Sequence, residues 1–132
     1  MKVSVDKTRF SKNQQEAYEF LLDMENYRQL MPDETILFEV HESGQGFTVQ
    51  ISKSMPKVGM KIKETTEPSQ LVFESPSPNF EYYLTINIDA VDDLNSDISL
   101  DFEGKFNMMI EMMAKAPLTN FIKTIANKLG EV

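Results

Sequence analysis

Residues 11–32 read SKNQQEAYEFLLDMENYRQLMP. This stretch predicts two short helices in succession. Ser11 to Gln14 fits a capping box, in which the Ser hydroxyl accepts from a free backbone N–H and Gln14 reaches back. Ala17, Phe20, Leu21 and Met24 then follow at spacings of three and four, the period of one helix face. Tyr27, Leu30 and Met31 mark a second, shorter helix. Pro32 closes it, because proline disfavours helical geometry in the residue before it.

On both sides of this stretch the period changes to two. Upstream, Val3 and Val5 alternate with Lys2, Ser4 and Asp6 across residues 2–10. Downstream, from 34 to 103, alternation dominates. Ile36, Phe38 and Val40 share a face, then Phe47, Val49 and Ile51, with Ser43-Gly44-Gln45-Gly46 as the turn between them. Val58, Met60 and Ile62 alternate with Lys57, Lys61 and Lys63. Leu71 and Phe73 make a short strand. Phe80, Tyr82, Leu84, Ile86 and Ile88 are expected inward on a long one, and Ile98, Leu100 and Phe102 on the last. Strands with one apolar and one polar face imply an antiparallel sheet with one solvated side.

From about 105 to 129 the helical period returns. Met109, Ile110, Met113 and Ala116 share one side, while Leu118, Phe121, Ile122, Ile125 and Leu129 share another. The apolar stripe is displaced across Pro117. A proline inside a helix removes a donor and crowds the preceding turn, so a kink or break is expected there. One α+β arrangement uses all these elements. An antiparallel sheet of about seven strands curls around the long C-terminal helix, with two short helices between strands 1 and 2. At 132 residues a single domain, 1–132, is expected.

That order of elements resembles the helix-grip fold of the START-like (SRPBCC) superfamily. The group includes polyketide cyclase/dehydrase-type proteins, START lipid-transfer domains and Bet v 1-like plant proteins. The residues that carry the resemblance are Ser11, Phe20-Leu21-Leu22-Asp23 and the run from Met24 to Pro32. Leu30-Met31 stands where the superfamily usually has an aromatic. The resemblance implies a cavity between sheet and long helix for a lipid or other apolar ligand. It does not fix an activity, because one fold hosts many.

Composition narrows the function classes. With 13 basic and 21 acidic residues the net charge is −8. That balance opposes a general affinity for nucleic acid or anionic head groups, which need Lys and Arg to displace counterions. There is no cysteine and one histidine, so no Cys-based metal site, disulfide or thiolate nucleophile arises. No metal or other cofactor is expected. No apolar run reaches the ~20 residues of a membrane span, so stable membrane insertion is not expected, and a cytoplasmic location is. His41 lies beside Glu42 and Ser43, too near in sequence for both to flank its ring as a triad requires. It is read as a hairpin histidine. Asp93-x-Asn95-x-Asp97 starts like a calcium loop, but Ile98 and Gly104 stand where Gly and Glu are needed. It is read as a solvated turn. Lys53, Lys57, Lys61 and Lys63 form a basic stripe without interleaved aromatics, which suits a wetted sheet face better than a nucleic-acid platform.

The side chains expected to line a ligand cavity are Phe38, Phe47, Met60, Phe73, Tyr82, Leu84, Phe102, Met109 and Met113, with Tyr82 as polar anchor. Methionine is flexible and polarisable and suits an adaptable wall. Met108 and Met112 point away from Met109 and Met113 and suit a contact, including a homodimer. No inward strand position carries Asp, Glu, Lys or Arg, so no group to move a proton is expected inside. The first reading is therefore non-catalytic binding of a hydrophobic small molecule or lipid. The alternatives are a cyclase/dehydrase-like enzyme and a protein–protein interaction module with a filled core.

Overall fold

The computed structural model describes residues 1–132. β1 (Lys2–Phe10) is followed by α1 (Gln14–Leu22) and a 3-10 helix (Met24–Leu30). β2 (Leu37–Val40), β3 (Gly46–Gln50), β4 (Val58–Thr66), β5 (Gln70–Glu74), β6 (Glu81–Ala90) and β7 (Ser96–Lys105) come next, and α2 (Met108–Leu129) ends the chain. The strands form one seven-stranded sheet in the order β1-β7-β6-β5-β4-β3-β2. All neighbours are antiparallel. The sheet curls into a half-barrel. α1 and the 3-10 helix bridge its two edges, β1 and β2, which no hairpin could join.

The cap of α1 differs from the expected box. Asn13, not Ser11, is the N-cap, and its side chain accepts from Glu16 N at 2.9 Å. Asp23 caps the 3-10 helix in the same way, accepting from Glu25 N. Met31 ends that helix in extended geometry, as the following proline requires.

Register decides which residues reach the core. Val3 and Phe10 are both buried on β1 although their parity differs. A bulge between Val5 and Thr8 accounts for this, because one extra residue turns every later side chain to the other face. Ile36 and Phe80, expected inward, are 50% and 42% exposed. Both stand just before a strand begins, where the pleat no longer aims them. In the β2–β3 turn only Gly44 takes a positive φ, +71°.

α2 corrects the largest expectation. It runs unbroken through Pro117, from an Asn107 cap that accepts from Ile110 N. Its inner face buries Ala114, Leu118, Phe121, Ile122, Ile125, Ala126 and Leu129, mainly against β1, β7 and the 3-10 helix. At about 100° per residue, an unbroken helix carries that face back to Ile110 and Glu111. Met109 and Met113 therefore fall on the opposite side. Met108, Met109, Met112 and Met113 are all 69–79% exposed. No helix is long and apolar enough to cross a membrane.

Candidate functional site

The concave face of the sheet gathers most of the predicted site. Cross-strand pairing sets Phe73 opposite Leu84, and Leu84 opposite Phe102, giving one row across β5, β6 and β7. Phe47 and Met60 face each other across β3 and β4. All five, with Tyr82, are buried. Phe38 is half-buried and packs against the core. Met109 and Met113 do not join this set, for the reason of helix phase given above.

Two aromatic groups form on this face. In the first, Phe47 and Phe73 close around Tyr27 of the 3-10 helix, and Phe38 stacks on Phe47 from outside. The ring centroids lie 5.1 Å apart for Tyr27–Phe47, 5.7 Å for Tyr27–Phe73 and 5.2 Å for Phe38–Phe47. The Tyr27 phenol donates to the Leu21 carbonyl at 2.7 Å. That carbonyl lies in the last turn of α1, where helical partners run out. Burial pushes the Tyr27 phenol well above its ordinary pKa, so it stays protonated as a donor. Tyr27 was legible as a helix residue but not as the hub of this group. Its spacing reveals only that it faces inward, not which strand it meets.

In the second group Tyr82 stacks on Phe102 at 5.9 Å and meets Phe106 at 6.3 Å. The Tyr82 phenol donates to the Gly59 carbonyl at 2.6 Å. Burial raises its pKa too. Gly104 makes this group possible, because a Cβ there would lie 2.4 Å from the Phe106 ring. The half-buried Phe106 therefore lies across the bare backbone beside Tyr82.

The buried set contains no Asp, Glu, Lys, Arg or His; Ser96 and three tyrosines are its polar members. The Ser96 hydroxyl is matched to the Lys12 carbonyl at 2.9 Å. Elsewhere, His41 Nε2 pairs with the Thr48 hydroxyl at 2.8 Å, while the Ser43 hydroxyl accepts from Gln45 N. The two side chains thus serve separate ends of one hairpin. The Asp92 carboxylate accepts from Leu94 N and the Asn95 amide, which organises that turn internally. No group of three or more His, Asp or Glu is placed to hold a metal.

Two surface clefts border the region. One, about 490 Å³, lies between the end of the 3-10 helix, the start of β2 and the last turn of α2, with Arg28, Thr35, Phe38 and Lys128 in its wall. The other, about 310 Å³, is lined by Glu74, Ser75, Phe80, Glu81 and Tyr82 among others. Of the nine expected lining residues, Phe38 and Tyr82 reach a cleft wall; Phe47, Met60, Phe73, Leu84 and Phe102 are closed in by their neighbours.

This geometry has clear counterparts among solved structures. A crystal structure from Thermus thermophilus superposes with a TM-score of 0.73 at 14% identity, covering 99% of this chain and 95% of that one. A START superfamily protein from Mycobacterium smegmatis gives 0.67 at 14%, covering 98% and 94%. The fold is the START-like helix grip. Norcoclaurine synthase from Thalictrum flavum, solved as a point mutant with a transition state analogue, also shares it, with a TM-score of 0.68 at 10% identity and coverage of 99% and 96%. No family model and no curated protein sequence matches the chain. At these identities the START-like likeness is one of fold.

Proposed function

We propose that this START-like protein binds a hydrophobic small molecule or lipid against the concave face of its sheet and catalyses no reaction on it. The observation that supports the reading is the chemistry of that face. It is apolar from β3 to β7 and offers only phenols as polar handles. A mostly apolar surface with one or two hydrogen-bonding groups suits recognition by burial. Proton transfer calls for a positioned acid or base, and Tyr27 and Tyr82 are held protonated by burial. Norcoclaurine synthase shows that the fold also hosts an enzyme, but fold does not choose function.

The lining side chains close on one another, so entry requires one of them to move. Phe106 is the readiest, being half-buried and resting on a glycine. Native mass spectrometry of freshly purified protein, beside a denaturing run, tests the reading. Extra mass that vanishes on denaturation is the expected result. A bare chain that also gives no saturable response to the uncharged fluorophore N-phenyl-1-naphthylamine would overturn it.

One observation favours a second reading, a homodimer with a filled core. Four exposed methionines crowd the first two turns of α2, and contiguous apolar surface of this kind marks contact sites. Sedimentation velocity decides. A dimer that Met109→Gln with Met113→Gln converts to monomer supports it, and a wild-type monomer at all concentrations removes it.

A further inference from the structure

The 490 Å³ cleft at the far end of α2 combines groups that the fold itself does not use up. Lys128 Nζ donates to the Met31 carbonyl at 2.6 Å and to Asp33 Oδ1 at 2.9 Å. An ammonium has three donors, so one is left over. Arg28 gives Nε to Glu25 Oε1 at 2.6 Å and Nη1 to the Phe38 carbonyl at 3.3 Å. The rest of its fork has no partner of its own, and its carbon sits 4.9 Å from the centre of the Phe38 ring. In the same wall the Thr35 hydroxyl is buried with no hydrogen-bond partner, the one such side-chain atom in the molecule. Buried polar atoms are normally satisfied, and an exception asks for a missing group.

The remaining wall is apolar. Ile36, Leu37 and Phe38 line it, and the half-exposed Ile36 has no other evident role. The lining carries Arg28, Lys128 and Asp33, and Glu25 pairs with Arg28 from just outside it, so the rim is balanced in a chain of net −8. A balanced rim with spare N–H donors suits a monoanion better than a doubly charged phosphate. Planar forked donors match a carboxylate.

We infer that this cleft is a binding site for a small amphipathic monocarboxylate, its head on Arg28 and Lys128, met by the Thr35 hydroxyl on rotation of that side chain, and its apolar body on Ile36, Leu37 and Phe38. The site is separate from the concave face of the sheet and stands whether or not that face takes a ligand. Phe38 is their shared wall, since its ring also stacks on Phe47 at 5.2 Å.

The test is a titration of the full chain, followed by methyl and amide NMR, with 4-phenylbutyrate, with 4-phenylbutan-1-ol and with acetate. The acid is expected to shift Thr35, Ile36, Leu37 and the last turn of α2 saturably, and to bind about tenfold tighter than either control. Thr35→Val keeps the shape of the side chain and should weaken the acid several-fold without unfolding the protein. Ile36→Ser, at a half-exposed position, should do the same. Absence of saturable shifts in this segment would overturn the site. So would equal binding of the alcohol, or equal binding of acetate. Shifts confined to Leu84, Ile86 and Leu100 would also overturn it while supporting a ligand on the concave face.

Discussion

Tyr27 sets the terms at the scale of single residues. Its phenol satisfies a helix-end carbonyl while its ring packs on Phe47 and Phe73. Tyr27→Phe keeps the ring and strands the Leu21 carbonyl. A buried acceptor left alone costs about 1–3 kcal/mol, so urea unfolding should show a loss of that order with an unchanged slope. The same change should alter the alkaline limb. The folded phenol titrates well above 10.0, its unperturbed value. Its contribution is therefore full below pH 10 and is lost as pH rises through the folded pKa, because only the unfolded chain ionises readily. Wild-type stability should fall across that window, and Tyr27→Phe should flatten the fall. A fall of equal steepness in both proteins would remove Tyr27 as its source. Gly46 tests close packing rather than hydrogen bonding. A Cβ there would meet the Met60 carbonyl at 2.3 Å, and backbone cannot step aside as a side-chain tip can. Gly46→Ala should destabilise by about 1–3 kcal/mol, read as a lower urea midpoint. Phe47, Met60, Phe73, Leu84 and Phe102 were legible as inward because alternation is a local signal. The Tyr27 hub was not, because ring-to-ring contact between a helix and two strands is set by tertiary geometry.

At the scale of elements the strands were readable almost to their ends, and the helix was readable in extent but not in phase. The expected kink or break at Pro117 divided the apolar residues of α2 into two faces. The unbroken helix has one inner face, set by Leu118 to Leu129, and the methionines lie outside it. The tertiary burial of that C-terminal half outweighs the local cost of the proline. Helical propensity alone puts that cost at about 3 kcal/mol relative to alanine. The missing N–H at 117 also leaves the Met113 carbonyl without its helical donor. Pro117→Ala should therefore raise stability by about 1–3 kcal/mol, less the entropy that proline removes from the unfolded chain. A thermal melt that moves downward would instead mean that Pro117, half-buried, packs usefully against its neighbours. The β1 bulge is the second lesson at this scale. Val3 and Phe10 share the core across a change of parity. Period-two reading follows a strand only until an extra residue enters it, and nothing in Asp6-Lys7 announces one.

For the molecule as a whole, the layout divides labour between the two ends of α2. Its C-terminal half is clamped on β1, β7 and the 3-10 helix, and Lys128 ties that end to the Met31 carbonyl. Its first two turns project four exposed methionines, with Ile110 and Glu111 half-buried and Glu111 3.9 Å from the N-terminal ammonium. Local stability follows burial. Amides of β7, which lies between β1 and β6, and of the middle of β6, where β5 pairs on its other side, should exchange slowest with deuterium. Amides of the first turns of α2 should exchange much faster than those from Leu118 onward. This gradient bears on ligand entry, because Phe106, which rests against Tyr82, leads directly into the start of α2. A ligand bound there would order what is loose, so its addition should slow exchange at 106–114 more than anywhere else. Slowing centred on 33–38 and 128 would place the ligand in the outer cleft instead. Uniform protection along α2 in the free protein would mean that both ends are equally fixed, and that the entrance must be sought on the other side, where Tyr27 seals the group around Phe47.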